Sequence, residues 1–205
     1  MSQLRSSLVS QFGHPRGVLG RLAGLIMTLR ASNRERNRRT VELLDIRPTD
    51  DVLEVGFGPG LAIEQAVRLA TQGKVFGLER SELMLRQACR RNAKAIREGK
   101  VDLRLGSAEC MPDFGRRFDK IFAVNVYMFW DDPVATLRSL RAAMKPGGTL
   151  CLTLQPRHKG ATDSDARKAA EGMAESLRAA GLTDVRSEIL TMKPVDTAFV
   201  RGRAP

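Results

Sequence analysis

The sequence predicts an α/β domain built on a mainly parallel sheet, and three observations carry that prediction. Strand-like and helix-like stretches alternate from Val52 onward, the pattern of strands joined by crossover helices. The first strand runs directly into the turn Gly56-Phe57-Gly58-Pro59-Gly60 and then into a helical pattern. Near the carboxyl end, two apolar runs are joined around Pro194 by a link too short for a crossover helix, so that closing pair is antiparallel.

The elements follow in order. Val52–Val55 is the first strand, apolar except for Glu54. Leu61, Ile63, Ala66, Val67 and Ala70 mark the helix after the glycine turn. A second strand spans 74–78 and a helix 83–96. Val101–Leu105 and Phe118–Val124 are the third and fourth strands. The aromatic stretch Tyr127-Met128-Phe129-Trp130 leads to a helix over 133–144. Lys145-Pro146-Gly147-Gly148 is read as a turn, because Pro and paired Gly stop a helix. The fifth strand is 149–154, a helix over 166–180 is capped by Gly181, and 185–192 with 197–201 forms the closing pair.

Before the first strand the character changes. Leu4, Leu8 and Phe12 have helical spacing, broken at Gly13-His14-Pro15-Arg16-Gly17. Leu22, Leu25, Ile26 and Leu29 resume it, and Arg34, Arg36, Arg38 and Arg39 follow, relieved only by Glu35. The expected organisation is an amino-terminal helical lid or cap over residues 1–48 and a cofactor-binding domain over 49–205. The apolar helix at 22–29 either caps the site or lies on an acidic membrane surface.

Composition narrows the function. A chain of 205 residues with 42% hydrophobic content suits one globular domain with a small appendage. No apolar run reaches the roughly 18 residues of a membrane span. Cys89, Cys110 and Cys151 are dispersed and odd in number, which argues against a disulfide framework or zinc site and for a reducing cytoplasm. His14 and His158 lack metal-ligand spacing, so no metal is expected. A net charge of +11 keeps nucleic acid and acidic membranes in view. One Trp and one Tyr provide no ladder for stacking bases.

The glycine spacing selects the cofactor. A dinucleotide fingerprint would place its third glycine at position 61, which is Leu61. The third glycine is Gly60 instead, giving E-x-G-x-G-x-G from Glu54. Glycines let backbone approach a ligand without Cβ contact, and Glu54 is placed to receive an amino group. Glu79, about twenty residues beyond the turn, is placed to accept ribose hydroxyls.

The run from Glu54 resembles motif I of the class I S-adenosylmethionine-dependent methyltransferases. Glu79-Arg80-Ser81-Glu82-Leu83-Met84-Leu85-Arg86-Gln87-Ala88 resembles the D-x-S-x-x-M-L-x-x-A segment of their small-molecule type, with Glu79 in place of Asp. Gly106-Ser107-Ala108-Glu109-Cys110-Met111-Pro112 is similar to their G-D/S-A-x-x-L-P segment, and the 145–148 turn to their L-K-P-G-G-x-L. The likeness is to methyltransferases of the ubiquinone- and menaquinone-biosynthesis type and covers residues 44–200. It implies a Rossmann-like, doubly wound, seven-stranded sheet, mostly parallel with an antiparallel last strand. It implies S-adenosyl-L-methionine as cofactor, bound by Glu54, Gly56, Phe57, Gly58 and Gly60, by Glu79 and Arg80, by Met84 at the adenine face, by Ser107, Ala108 and Glu109 at the adenine edge, and by Asn125 and Val126 beside the methionine.

Methyl transfer from a sulfonium is an in-line displacement with a neutral leaving group, so orientation does most of the work. A base is needed only for a protonated nucleophile, and His14 and Tyr127 are the candidates. Tyr127, Phe129 and Trp130 are expected to line the acceptor pocket beyond the carboxyl ends of the strands. A small-molecule acceptor, apolar or lipid-like, is the expected substrate. Asn125-Val126-Tyr127-Met128 lacks the prolines of [DNS]-P-P-[YFW], which places nucleic acid behind it. A protein acceptor, or a silent cofactor-binding protein of the same fold, completes the alternatives.

Overall fold

Burial on both faces organises the sheet around β1 (Val52–Val55), which is covered along its whole length. The computed structural model describes residues 31–205. β1 pairs in parallel with β2 (Val75–Glu79) on one side. β3 (Val101–Leu105) extends that side, and β4 (Phe118–Val124) and β5 (Met144–Leu154) extend the other, all parallel. β6 (Thr183–Leu190) and β7 (Thr197–Arg203) form an antiparallel pair, and β7 also pairs antiparallel with β5. The order β3-β2-β1-β4-β5-β7-β6 leaves β7 alone running against the rest. This is the Rossmann-like seven-stranded sheet that the family resemblance implies. The chain moves outward from β1 to β3 and then returns to β4, so the crevice lies between β1 and β4 at their carboxyl ends.

Alternation along the strands divides the core in two. Leu53 and Val55, with Phe76, Leu78, Ile121 and Leu150, pack against α5 (Pro133–Ala142) and α6 (Asp163–Ala179). Val52, Val75, Phe122 and Cys151 pack on the opposite face against Ala62, Ile63 and Ala66 of α2 (Leu61–Leu69) and Val41 of α1 (Ala31–Leu43). Glu54 therefore shares a face with Val52 rather than with its apolar neighbours.

Four local features depart from the sequence reading. The helix expected over 83–96 is two, α3 (Glu82–Arg91) and α4 (Ala93–Arg97), divided at Asn92. The Asn92 amide donates to the carbonyls of Ala88 (3.0 Å) and Gly60 (3.2 Å), the kind of side-chain bond that competes with a helix ladder. The Pro-Gly-Gly turn lies inside β5 rather than before it. Met144 pairs with Phe118 and Thr149 with Lys120, so residues 145–148 bulge opposite Asp119, with Gly147 at φ 73°. Gly147 N–H and the Gly148 carbonyl bond to Ala204 and fasten this bulge to the residue after β7. α6 starts at Asp163 rather than 166 because Thr162 and Asp165 form a reciprocal capping box. β6 begins two residues earlier than expected, at Thr183.

The apolar helix expected at 22–29 and the rest of residues 1–30 lie outside the described residues. No helix among the described residues is long and apolar enough to cross a membrane.

Gly77 in β2 has no room for a side chain, since an added Cβ would meet Phe57 Cδ1 at 2.5 Å. Gly172 in α6, by contrast, would have nothing within 4 Å of an added Cβ. Urea unfolding is expected to show Gly77→Ala losing about 1–3 kcal/mol and Gly172→Ala gaining about 0.5–1 kcal/mol.

Candidate active site at the carboxyl ends of the strands

A cavity of about 1060 Å³ opens where β1, β2, β4 and β5 end. Its floor is the glycine turn. Gly56, Gly58 and Gly60 all have left-handed backbone, at φ 71°, 52° and 76°. A Cβ on Gly56 would meet Val126 Cγ2 at 2.4 Å, and one on Gly60 would meet Ala88 Cβ at 2.8 Å. The turn is therefore tightly packed: Gly56 and Gly58 line the cavity, whereas Gly60, expected among the cofactor-binding residues, lies against Ala88 and Asn92 and does not line it.

Glu79 holds that turn in place. One carboxylate oxygen accepts from Gly58 N–H and the other from Ser81 N–H, both at 2.9 Å. Each oxygen keeps a lone pair, available to a pair of ligand hydroxyls. Ser81 caps α3 by accepting from Met84 N–H, and Met84 forms buried cavity wall beyond it.

Glu54 is 3% exposed and also lines the cavity. Its Oε2 has no hydrogen-bond partner. Burial raises its carboxyl pKa well above the ordinary carboxylate range, the negative charge of Glu79 adds to this, and a bond from Ile63 N–H partly opposes it. A buried carboxylate lacking a counterion suits a ligand that brings a cation.

Ser107, Ala108 and Glu109 lie on the wall beyond β3, in a turn closed by Cys110 N–H bonding to the Ser107 carbonyl. Phe57 borders the cavity at the turn, and its ring is buried in the α2-side core. Arg80 stands over the Phe129 ring, 5.4 Å from its centroid. Asn125 also lines the cavity, but both atoms of its amide are engaged with the Gln155 backbone, at 2.8 and 3.3 Å. It clamps the end of β4 to the end of β5, with φ at 54°. Val126 fills the space beneath Gly56.

The aromatic segment divides. Phe129 and Trp130 line the cavity, together with Met128, which the sequence did not single out. Tyr127 does not. Its hydroxyl bonds to Ser176 Oγ at 2.9 Å and approaches the Gly172 carbonyl at 3.4 Å, both on α6. The segment Tyr127–Phe129 is a 3₁₀ turn, whose successive side chains project in different directions, and of its three residues it is Tyr127 whose side chain bonds to α6. Tyr127 is thus an anchor between β4 and α6, away from both the pocket-lining and the proton-accepting roles expected of it. His14 lies outside the described residues.

Two further stretches of wall involve residues that the sequence did not single out as site residues, the first of them within the segment expected as a lid. α1 contributes Asn33, Arg36 and Asn37, and the segment after β5 contributes Pro156, Arg157 and His158. Gln155, fully buried behind them, joins the two: its Oε1 accepts from Arg36 (2.8 Å) and Arg157 (2.7 Å), and its amide nitrogen donates to the carbonyls of Lys193 and Val195. Burial, and then the charge of Arg157, push the Arg36 pKa down to about 9. The sequence signal was the 33, 36, 40 spacing of residues that turn out buried, hidden because all three are polar. No cluster of His, Cys, Asp or Glu among the described residues is arranged to hold a metal ion.

Residues 52–148 match the family model described as a methyltransferase domain. An uncharacterised methyltransferase of Bacillus subtilis, YdaC, is 34% identical over 184 residues, covering 90% of this chain and 98% of that protein. A demethylmenaquinone methyltransferase of Symbiobacterium thermophilum is 33% identical over 123 residues, 57% of this chain and 47% of that one. Among solved structures, the N-methyltransferase NodS of Bradyrhizobium japonicum in complex with S-adenosylhomocysteine superimposes with a TM-score of 0.70 at 18% identity, over 98% of this chain and 97% of that one. At that identity the likeness concerns the fold, and the Bacillus relative carries the family. Sequence relatives and the carboxylate-fastened glycine turn lead to the same donor, and the chain belongs to the class I S-adenosylmethionine-dependent methyltransferases.

Proposed function

We propose that this methyltransferase transfers the methyl group in line to a small organic acceptor held in the same cavity as the donor. The observation that carries this reading is the size and mixed polar and apolar lining of the cavity. Its volume of about 1060 Å³ lies just above the roughly 300–1,000 Å³ typical of a single-ligand pocket. Its lining combines Glu54, Glu79 and the glycine turn with the apolar side chains of Met128, Phe129, Trp130 and Pro156.

On the donor side, Glu54 receives the amino group and Glu79 the ribose hydroxyls. Met84 lies against the adenine, Ser107 to Glu109 follow its edge, and Gly56, Gly58, Gly60 and Val126 shape the floor under the methionine, with Asn125 fixing the β4 end and Arg80 and Phe57 bordering the ribose and turn. The bound donor supplies an activated methyl on a sulfonium with a neutral leaving group. The chain's own contribution is to hold the acceptor against the apolar wall and exclude water, so the reacting atoms meet in line. Within the segment 1–48 expected as a lid, α1 supports that role by bordering the cavity with Asn33, Arg36 and Asn37. The three cysteines, free in the structure, support a reducing cytoplasmic setting.

Incubating the enzyme with methyl-labelled donor and cell extract tests the acceptor class. Label is expected in the small-molecule ultrafiltrate; label confined to RNA or protein would overturn the reading.

Calorimetry tests the donor side. Glu79→Ala is expected to weaken S-adenosylhomocysteine binding by about 2–4 kcal/mol, the loss of two charge-assisted bonds and of the turn they hold. No wild-type binding at millimolar ligand would overturn the donor assignment.

Glu54→Gln is expected to weaken donor binding by about 1.5–3 kcal/mol while stabilising the ligand-free protein. Because the folded-state pKa of Glu54 is raised, its carboxyl favours folding fully below the ordinary value of 4.5 and loses that contribution as pH rises through the folded value. Thermal melts across pH should therefore show the variant's advantage opening above pH 4.5 and levelling off beyond the folded value.

A further inference from the structure

α1 turns one arginine inward. Arg34 and Arg38 on the same helix are exposed, whereas Arg36 is 5% exposed. Its terminal nitrogens donate to Gln155 Oε1 (2.8 Å) and Asn33 Oδ1 (2.6 Å), and its Nε is buried without a partner. No carboxylate among the described residues comes within 4.0 Å of it. Arg157 donates to the same two oxygens, at 2.7 and 3.2 Å. Two guanidiniums thus converge on two neutral amide oxygens in the cavity wall.

Burying one cation and setting a second beside it is unfavourable unless an anion joins them. The carboxylates on the cavity are placed elsewhere. Glu54 and Glu79 belong to the glycine turn, Glu109 to the loop after β3, and Asp165 accepts from Thr162 and faces His158 at 3.6 Å. Position separates this wall from the donor. Arg157 follows β5, two strands from β1, and strands lie about 4.8 Å apart, so about 10 Å separates β5 from the β1 turn. Met128 and Phe129, about two-fifths exposed, provide apolar surface on the same cavity.

We propose that Arg36 and Arg157 form the anion-binding end of the acceptor subsite, so that the methyl acceptor is an organic anion whose carboxylate or phosphate docks on the paired guanidiniums while its apolar body lies along Met128, Phe129 and Trp130. The proposal rests on the small-molecule acceptor reading above and names its class. Guanidinium forks suit both head groups because each offers oxygens for paired N–H donors.

The test uses the full chain saturated with S-adenosylhomocysteine and follows the fluorescence of Trp130, its one tryptophan. Inorganic phosphate, malonate and uncharged malonamide are titrated separately. A saturable response to phosphate or malonate and none to malonamide is expected, and the tighter of the two anions identifies the head group. Arg36→Met and Arg157→Met should each weaken anion binding by about tenfold or more while S-adenosylhomocysteine affinity stays within about twofold. Should one variant fail to fold, the other carries the comparison, with Arg36→Lys as a charge-retaining control. Absence of a saturable anion response in the ligand-saturated wild type would overturn the proposal, as would an unchanged response in the variants. A parallel loss of S-adenosylhomocysteine affinity would also overturn it, by assigning the arginines to the donor's carboxylate. Failure of the wild type to bind S-adenosylhomocysteine would instead strike the donor assignment.

Discussion

The two hydrogen bonds accepted by Glu79 join three pieces of chain: the end of β2, the glycine turn after β1 and the start of α3. The glycine-turn end of the cavity depends on that junction. Gly58 can hold its left-handed backbone against the sheet because its N–H is fixed there, and Ser81 can cap α3 because its own N–H is fixed by the other oxygen. Asn92 repeats the arrangement from behind, tying α3 back to Gly60. The turn is gripped from two sides, so little reorganisation remains when a ligand arrives, which is the source of affinity in a preorganised site.

The cavity is electrically polarised as a result. Buried acidic groups gather at the β1 and β2 ends, where the charge of Glu79 adds to the cost of ionising Glu54. Positive charge gathers after β5, where Arg36 and Arg157 share Gln155. Each end would be unfavourable alone, and each is complementary to one kind of ligand charge. Between them Asn125 fastens β4 to β5, so the distance between the ends is set by backbone rather than by mobile side chains.

The glycine turn and the Glu79 carboxylate that fastens it were legible in the sequence because they depend on local spacing. Leu61 at the position where a dinucleotide fingerprint needs glycine, and the interval from Gly60 to Glu79, are properties of a continuous stretch. The rest was written in longer-range terms. Arg36 is read as a surface residue until Gln155, far along the chain, turns it inward. Tyr127 looks like pocket lining until Ser176 claims its hydroxyl. Asn92 splits a helix because the Gly60 carbonyl is in reach, and the 145–148 turn becomes part of β5 because Ala204 pairs with it. The capping box at Thr162 and Asp165 is the one departure that local pattern could have revealed.

The sheet order has a consequence for assembly. β6 precedes β7 in the chain, yet β7 lies between it and β5. β6 has no other strand neighbour among the described residues, so it cannot dock on the sheet by itself as it is made. The β5 edge is therefore extended only when β7 pairs with it, alone or already joined to β6, and the same step closes the bulge at 145–148 through Ala204. The strands around the glycine turn are all available once β4 has been made, while the edge beyond β5 waits on β7, the last strand of the chain's described residues.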